Sequence, residues 1–76
     1  MNIDVELVAA GNLKVMIYNL KGELIKLLAD ESKSDGKYTY NWAGTNTSEE
    51  TVASGVYIVI VEVDGSRQVK KAAVIK

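Results

Sequence analysis

Seventy-six residues suffice for one small domain, and a hydrophobic fraction of 47% is ordinary for a folded chain. Nine basic and ten acidic residues give a formal net charge of −1, which excludes the basic surface expected of a nucleic-acid-binding domain. The chain has neither cysteine nor histidine, which excludes disulfide bonds, Ser-His-Asp and Cys-His nucleophilic arrangements, and the usual zinc and copper sites.

The N-terminal part of the chain predicts three successive strands. Residues 3–7 alternate between apolar and acidic side chains, which is the period of a half-buried strand, and a second alternation covers residues 13–18. Residues 19–22 then supply a turn through an asparagine and a glycine. Residues 23–30 also fit one face of a helix, but they form a short stretch between turn signals. We therefore predict a strand there.

Three aromatic residues dominate the middle of the chain. Polar residues 31–36 predict a turn, and after them Tyr38, Tyr40 and Trp42 alternate with polar residues. The alternation places the three rings on one face of a strand, and we expect that face to be core. The alternative is an exposed platform on which sugar rings stack.

The C-terminal part predicts a loop followed by a hairpin. Residues 44–51 are rich in Thr, Ser, Asn and Glu, as in a loop between sheets. Strands are predicted at Val56–Val63 and Arg67–Ile75, and Asp64 and Gly65 form the turn between them. The whole chain, residues 1–76, is thus predicted to be one all-β domain, an antiparallel β-sandwich of six to seven strands.

Carboxylates are the candidates for chemistry in a chain without histidine or cysteine. An oxygen-ligand calcium site or an acid-base pair could be built from Asp30, Glu31, Asp35, Glu49 and Glu50. Their spacing fits neither a calcium-binding loop nor an enclosed cleft, so we predict no metal, no cofactor and no catalytic residues. The acidic stretch that includes Glu62 and the basic stretch that ends at Lys76 are predicted to be solvated strand faces.

Four segments in order resemble one known family. They are IYNLKGELI at residues 17–25, a W-x-G turn at 42–44, VASGVY at 52–57 and KKAAVIK at 70–76. Together they resemble the immunoglobulin-like domain named after the flagellar hook-capping protein FlgD, a relative of the type IX secretion sorting domains. The sequence departs from the usual pattern at Ala43, where an aspartate is common, and in residues 46–51, where an Asn-Gly turn is typical.

The resemblance implies an immunoglobulin-like or fibronectin-III-like sandwich with an accessory role. Such domains recur at the C-termini of exported bacterial proteins, so we expect a non-catalytic module that tethers, spaces, sorts or contacts proteins outside the cell or at its surface. Residues 1–11 do not resemble a signal peptide, because acidic residues interrupt them, and the export signal of a longer parent protein is expected upstream. A carbohydrate-binding module and a self-assembling structural subunit resembling hook-cap components remain alternatives.

The predicted fifth strand contains the candidate contact surface. By analogy with the family, Tyr57, Val59, Val61 and Val63 face inward, which leaves Val56, Ile58 and Ile60 outward. This outward stripe is either scattered surface apolarity or a contact for a neighbouring domain, another protein or a weakly associating second copy. No apolar run approaches the length of a membrane span, so no membrane insertion is expected.

Overall fold

A computed structural model describes residues 1–75 and shows two antiparallel sheets facing each other. Within those residues the strands are β1 (Asn2–Leu7), β2 (Gly11–Tyr18), β3 (Leu24–Lys33), β4 (Gly36–Asn41), β5 (Gly55–Val63) and β6 (Ser66–Val74). One sheet pairs β1 with β4, and the other has the order β3-β2-β5-β6. The predicted immunoglobulin-like sandwich is therefore confirmed, with six strands over the described range.

The core lies between the sheets and follows the alternation in the sequence. In β1, β2 and β5 every second side chain is buried, as the period of a half-buried strand requires. Trp42, directly after β4, is 1% exposed and packs edge-on against Tyr57, with ring centroids 5.4 Å apart. The predicted inward positions Tyr57, Val59 and Val61 are buried, and Val63 is partly buried against the same core.

Two irregularities in the pairing of β3 explain why its sequence also fits one face of a helix. Its pairing with β2 shifts register twice, so that Ile25 and Leu28 have no partner residue in β2. Each shift is a β-bulge, which adds one residue and turns the period of two into a local period of three. Leu24 and Leu27 consequently face outward, while Ile25 and Leu28 pack against the core.

Two loops share the same hydrogen-bonded conformation. The side-chain oxygen of Asn19 accepts bonds from the amides two and four residues later at 3.0 and 2.9 Å, and Asn46 does the same at 2.9 and 3.0 Å. The third residue after each asparagine has a positive φ, 85° at Gly22 and 62° at Glu49. The loop that departs from the family pattern therefore keeps the turn and places a glutamate where the first loop has glycine.

The hairpin between β5 and β6 is a two-residue turn at Asp64 and Gly65, as predicted, and both residues have positive φ. The predicted turn over residues 31–36 is wrong in its first half, because β3 continues to Lys33 and pairs with β2 there. Lys76 lies outside the described residues. Residues 1–75 contain no helix long and apolar enough to cross a membrane.

Candidate contact surface

The outer face of the four-stranded sheet carries two rows of side chains that are mostly apolar. Antiparallel pairing places one residue from each strand side by side across the sheet. From β3 to β6 the first row is Leu27, Met16, Ile60 and Val69. The second row is Leu24, Tyr18, Ile58 and Lys71. We call the seven apolar members of these rows the outer apolar surface.

The exposure of this surface follows the position of each strand. On the edge strands Leu24, Leu27 and Val69 are 51%, 46% and 62% exposed. On the central strands Met16, Tyr18, Ile58 and Ile60 are half-buried, because each central strand has another strand on both sides. Large apolar side chains that remain accessible across four neighbouring strands form one patch, which is the usual sign of an interaction surface.

A row of charged residues of alternating sign borders the patch. From β3 to β6 it is Asp30, Lys14, Glu62 and Arg67, again in direct cross-strand register. Arg67 contacts Glu62 at 3.2 Å, and the Asp30 carboxylate accepts a bond from the Asn12 amide group at 3.3 Å. On this side the apolar patch thus ends at a polar rim, a feature of protein interfaces.

The outer face of the other sheet has the opposite character. There Thr39 donates a hydrogen bond to Asp4 at 2.9 Å, and Lys37 lies 3.9 Å from Glu6. Asn41 likewise bonds to Asn2 at 2.8 Å. Every cross-strand pair on that face is therefore polar, and the two outer faces of the sandwich differ in the polarity of their side chains.

The predicted contact residues lie in or beside the outer apolar surface. Ile58 and Ile60 occupy its two rows on β5, and Val56, which is 42% exposed, pairs with Ala73 beyond the second row. The other five members were not predicted from the sequence as contact residues: Met16, Tyr18, Leu24, Leu27 and Val69. Met16 and Tyr18 could have been found from the alternation of β2, whereas the outward direction of Leu24 and Leu27 depends on the two bulges.

The aromatic row does not form an exposed platform. Trp42 is buried, as predicted, and its indole N–H donates to the Thr45 carbonyl at 2.9 Å. Tyr38 and Tyr40 are half-buried and pack against the core, so all three rings lie on the core side of the sandwich, as predicted. Their hydroxyls donate to the Ser34 carbonyl at 2.7 Å and to Glu31 at 2.9 Å. Burial and the Glu31 carboxylate raise the pKa of Tyr40 to about 12.

Four of the five candidate carboxylates accept hydrogen bonds from other side chains. Glu49 accepts a bond from the Lys26 ammonium at 2.7 Å, which lowers the pKa of Glu49. Glu31 contacts Lys33 and Tyr40. Over residues 1–75 the acidic side chains form no group of three or more suited to a metal ion.

Comparisons with known proteins agree with the fold and the sequence motifs. A family model described as the FlgD Ig-like domain matches residues 2–67. Among solved structures, the crystal structure of FlgD from P. aeruginosa is similar, with a TM-score of 0.67 and 19% sequence identity over 92% of this chain. The chain spans 56% of the length of that protein. No curated protein sequence matches the chain.

Proposed function

Because the chain belongs to the FlgD Ig-like domain family, we propose that it is a non-catalytic accessory module that makes protein–protein contacts in an exported assembly. The observation that carries the proposal is the contrast between the two outer faces: one has two mostly apolar rows across four strands, and the other is polar in every cross-strand pair. A sandwich needs only its inner faces for folding, so an apolar outer face calls for a separate reason.

The chemistry of the side chains supports a contact role over an enzymatic one. The chain lacks histidine and cysteine, and its carboxylates are dispersed among other partners. Rows of aliphatic side chains next to Met16 and Tyr18 are suited to burial against another apolar surface. Tethering or spacing of a parent protein outside the cell is the role that fits such a surface on a family of this kind.

Site-specific photo-crosslinking in the cells that make the full protein tests the proposal. A photoreactive amino acid replaces Val69, in the first apolar row, or Thr39, on the polar face, as the matched control position. We expect a discrete protein adduct at position 69 and none at position 39, because only the apolar face is buried by a partner. Equal labelling at both positions, or none at position 69, would contradict the assigned surface.

A further inference from the structure

We infer that the outer apolar surface binds the same surface of a second copy of this chain. The two copies are related by a twofold axis that lies between the two contacting sheets, runs parallel to the strands, and passes over the gap between β2 and β5. The inference rests on the proposed function and names the partner of that surface. An isologous contact needs a surface that is complementary to itself, and both the charged rim and the apolar rows meet that condition.

The charged row supplies the first argument. From β3 to β6 its signs are negative, positive, negative and positive. The proposed axis reverses the order of the strands in the second copy, so Asp30 faces Arg67 of the other copy and Lys14 faces Glu62 of the other copy. Each of the four charges therefore faces an opposite charge on the other copy. The twofold symmetry makes each of these contacts occur twice in the dimer.

The apolar rows meet their counterparts under the same axis. Met16 faces Ile60 of the second copy, and Leu27 faces its Val69. In the second row Tyr18 faces Ile58 of the second copy. Leu24 faces the aliphatic part of the Lys71 side chain, whose ammonium group stays in solvent at the edge of the interface. Two sheets packed this way are about 10 Å apart, the usual spacing of aligned sheets.

A twofold axis perpendicular to the strands does not give this match. Placed through the charged row, it sets Asp30 against Asp30 or Lys14 against Lys14 of the second copy. Placed between the two apolar rows, it sets the charged row against Val56 and Ala73, which lie beyond the second row on β5 and β6. Like charges or unpaired ions would be buried in either case, so the sign order selects the axis parallel to the strands.

The size of the surface sets the strength of the contact. Neighbouring strands are about 4.8 Å apart, and alternate residues along a strand are about 6.8 Å apart. With these spacings, three rows across four strands cover about 400 Å² per copy. A stable dimer buries about 800 Å² per partner, so the pair is a weak dimer that forms as the concentration rises. Such a contact suits copies that a larger assembly holds close together.

Sedimentation of the 76-residue chain from micromolar to millimolar concentration, with two charge reversals, tests the proposal. Lys14→Glu places a glutamate opposite Glu62 of the other copy, and Glu62→Lys places a lysine opposite Lys14. Each variant alone should self-associate about tenfold more weakly than the unmodified chain. An equimolar mixture should recover the association, because each new charge then faces an opposite one.

Two further variants control for charge and folding. Lys37→Glu makes the same change of net charge on the polar face and should associate like the unmodified chain. The double variant Lys14→Glu with Glu62→Lys restores opposite charges at these two cross-strand positions and complementary charges between copies, so it should dimerise even where a single variant fails to fold. Circular dichroism monitors the fold of each variant.

The proposal is overturned if the unmodified chain is monomeric up to millimolar concentration, if neither single reversal weakens association, or if the mixture associates no better than the single variants. A monomeric chain that still gives an adduct with another protein at position 69 in cells would leave the contact role standing and exclude only the second copy as partner. The absence of any protein adduct at position 69 would instead contradict the contact role itself.

Discussion

The carboxylate of Asp64 lies over Gly11, in the space that a Cβ atom at position 11 would occupy. Its Oδ1 accepts a hydrogen bond from the Asn12 amide at 3.1 Å, and the Asp64 amide donates to the Asn12 carbonyl at 3.3 Å. The β5–β6 hairpin turn is thereby attached to the start of β2. Glycine at position 11 gives the carboxylate room to make this contact.

Gly11→Ala should destabilise the domain through this contact. The added methyl group displaces the Asp64 carboxylate, and the lost hydrogen bond to Asn12 is worth about 1 kcal/mol in the free energy of unfolding. In an Asp64→Gly background the same substitution should have little effect, because no carboxylate remains to be displaced. Urea unfolding of the four proteins gives the coupling free energy; a value near zero would show that the two residues act independently.

The strands and the core were predictable because side chains in a strand point alternately to its two faces, so alternating apolar residues indicate which face is buried. Val15, Ile17 and Val59 sit at a period of two in the ladder between β2 and β5, which has no register shift, and all three are buried. In β3 the alternation fails because the bulges at Ile25 and Leu28 arise in its pairing with β2, which the residue pattern of β3 alone does not indicate. The carbonyl of Ile25 accepts a hydrogen bond from the Thr47 amide at 2.9 Å, a partner 22 residues away in the chain that no local pattern indicates.

The outer apolar surface was predictable only in part for the same reason. Ile58 and Ile60 stood out because β5 is apolar on both faces. Val69 is a single apolar residue among polar ones, and its place beside Ile60 requires the register of the hairpin. The alternating sign of the charged row likewise appears only after four strands are aligned, since its members lie far apart in the sequence.

Trp42→Ala should unfold the domain. The indole is the largest fully buried side chain and contacts Tyr57, and its removal is expected to cost about 3 to 5 kcal/mol. That loss is comparable to the whole stability of a small domain, about 5 kcal/mol. Val69→Ala, on the outer surface, should change the free energy of unfolding by less than about 0.5 kcal/mol. Far-UV circular dichroism during urea unfolding measures both, and an unchanged midpoint for Trp42→Ala would contradict the assigned core.

The loops that follow Asn19 and Asn46 each have a residue with positive φ, Gly22 and Glu49. At both positions glycine should give a more stable domain than alanine. Gly22 has a φ of 85° and open space around its Cα, so Gly22→Ala should cost about 1 kcal/mol from backbone strain alone. At Glu49, with a φ of 62°, Glu49→Gly should melt at a higher temperature than Glu49→Ala, because both variants lose the Lys26 contact and only glycine removes the strain. Glu49→Ala keeps the strain and loses the Lys26 contact, so it should lower the melting temperature. Differential scanning calorimetry distinguishes these results; equal melting temperatures for the alanine and glycine variants would contradict a strained backbone at Glu49.

Tyr40 should make the domain sensitive to alkaline pH. Burial, and then the hydrogen bond that its hydroxyl donates to Glu31 at 2.9 Å, raise the pKa of Tyr40 to about 12, above the usual value for tyrosine of about 10. Below pH 10 the hydroxyl is protonated in both folded and unfolded chains, and its contribution to stability is fully present. Above about pH 10 the unfolded chain releases this proton first, so the contribution is lost as the pH rises toward 12.

Tyr40→Phe removes the ionisable group, so its free energy of unfolding should decline less steeply than that of the unmodified chain between about pH 10 and 12. Glu31→Gln removes the negative charge that opposes tyrosinate formation and should give an intermediate slope, because burial still acts on the hydroxyl. Urea unfolding at a series of alkaline pH values measures the slopes, and the tyrosinate absorbance difference between the unmodified chain and Tyr40→Phe reports the titration itself. Identical slopes for the unmodified chain and Tyr40→Phe would show that the Tyr40–Glu31 contact does not couple proton release to folding.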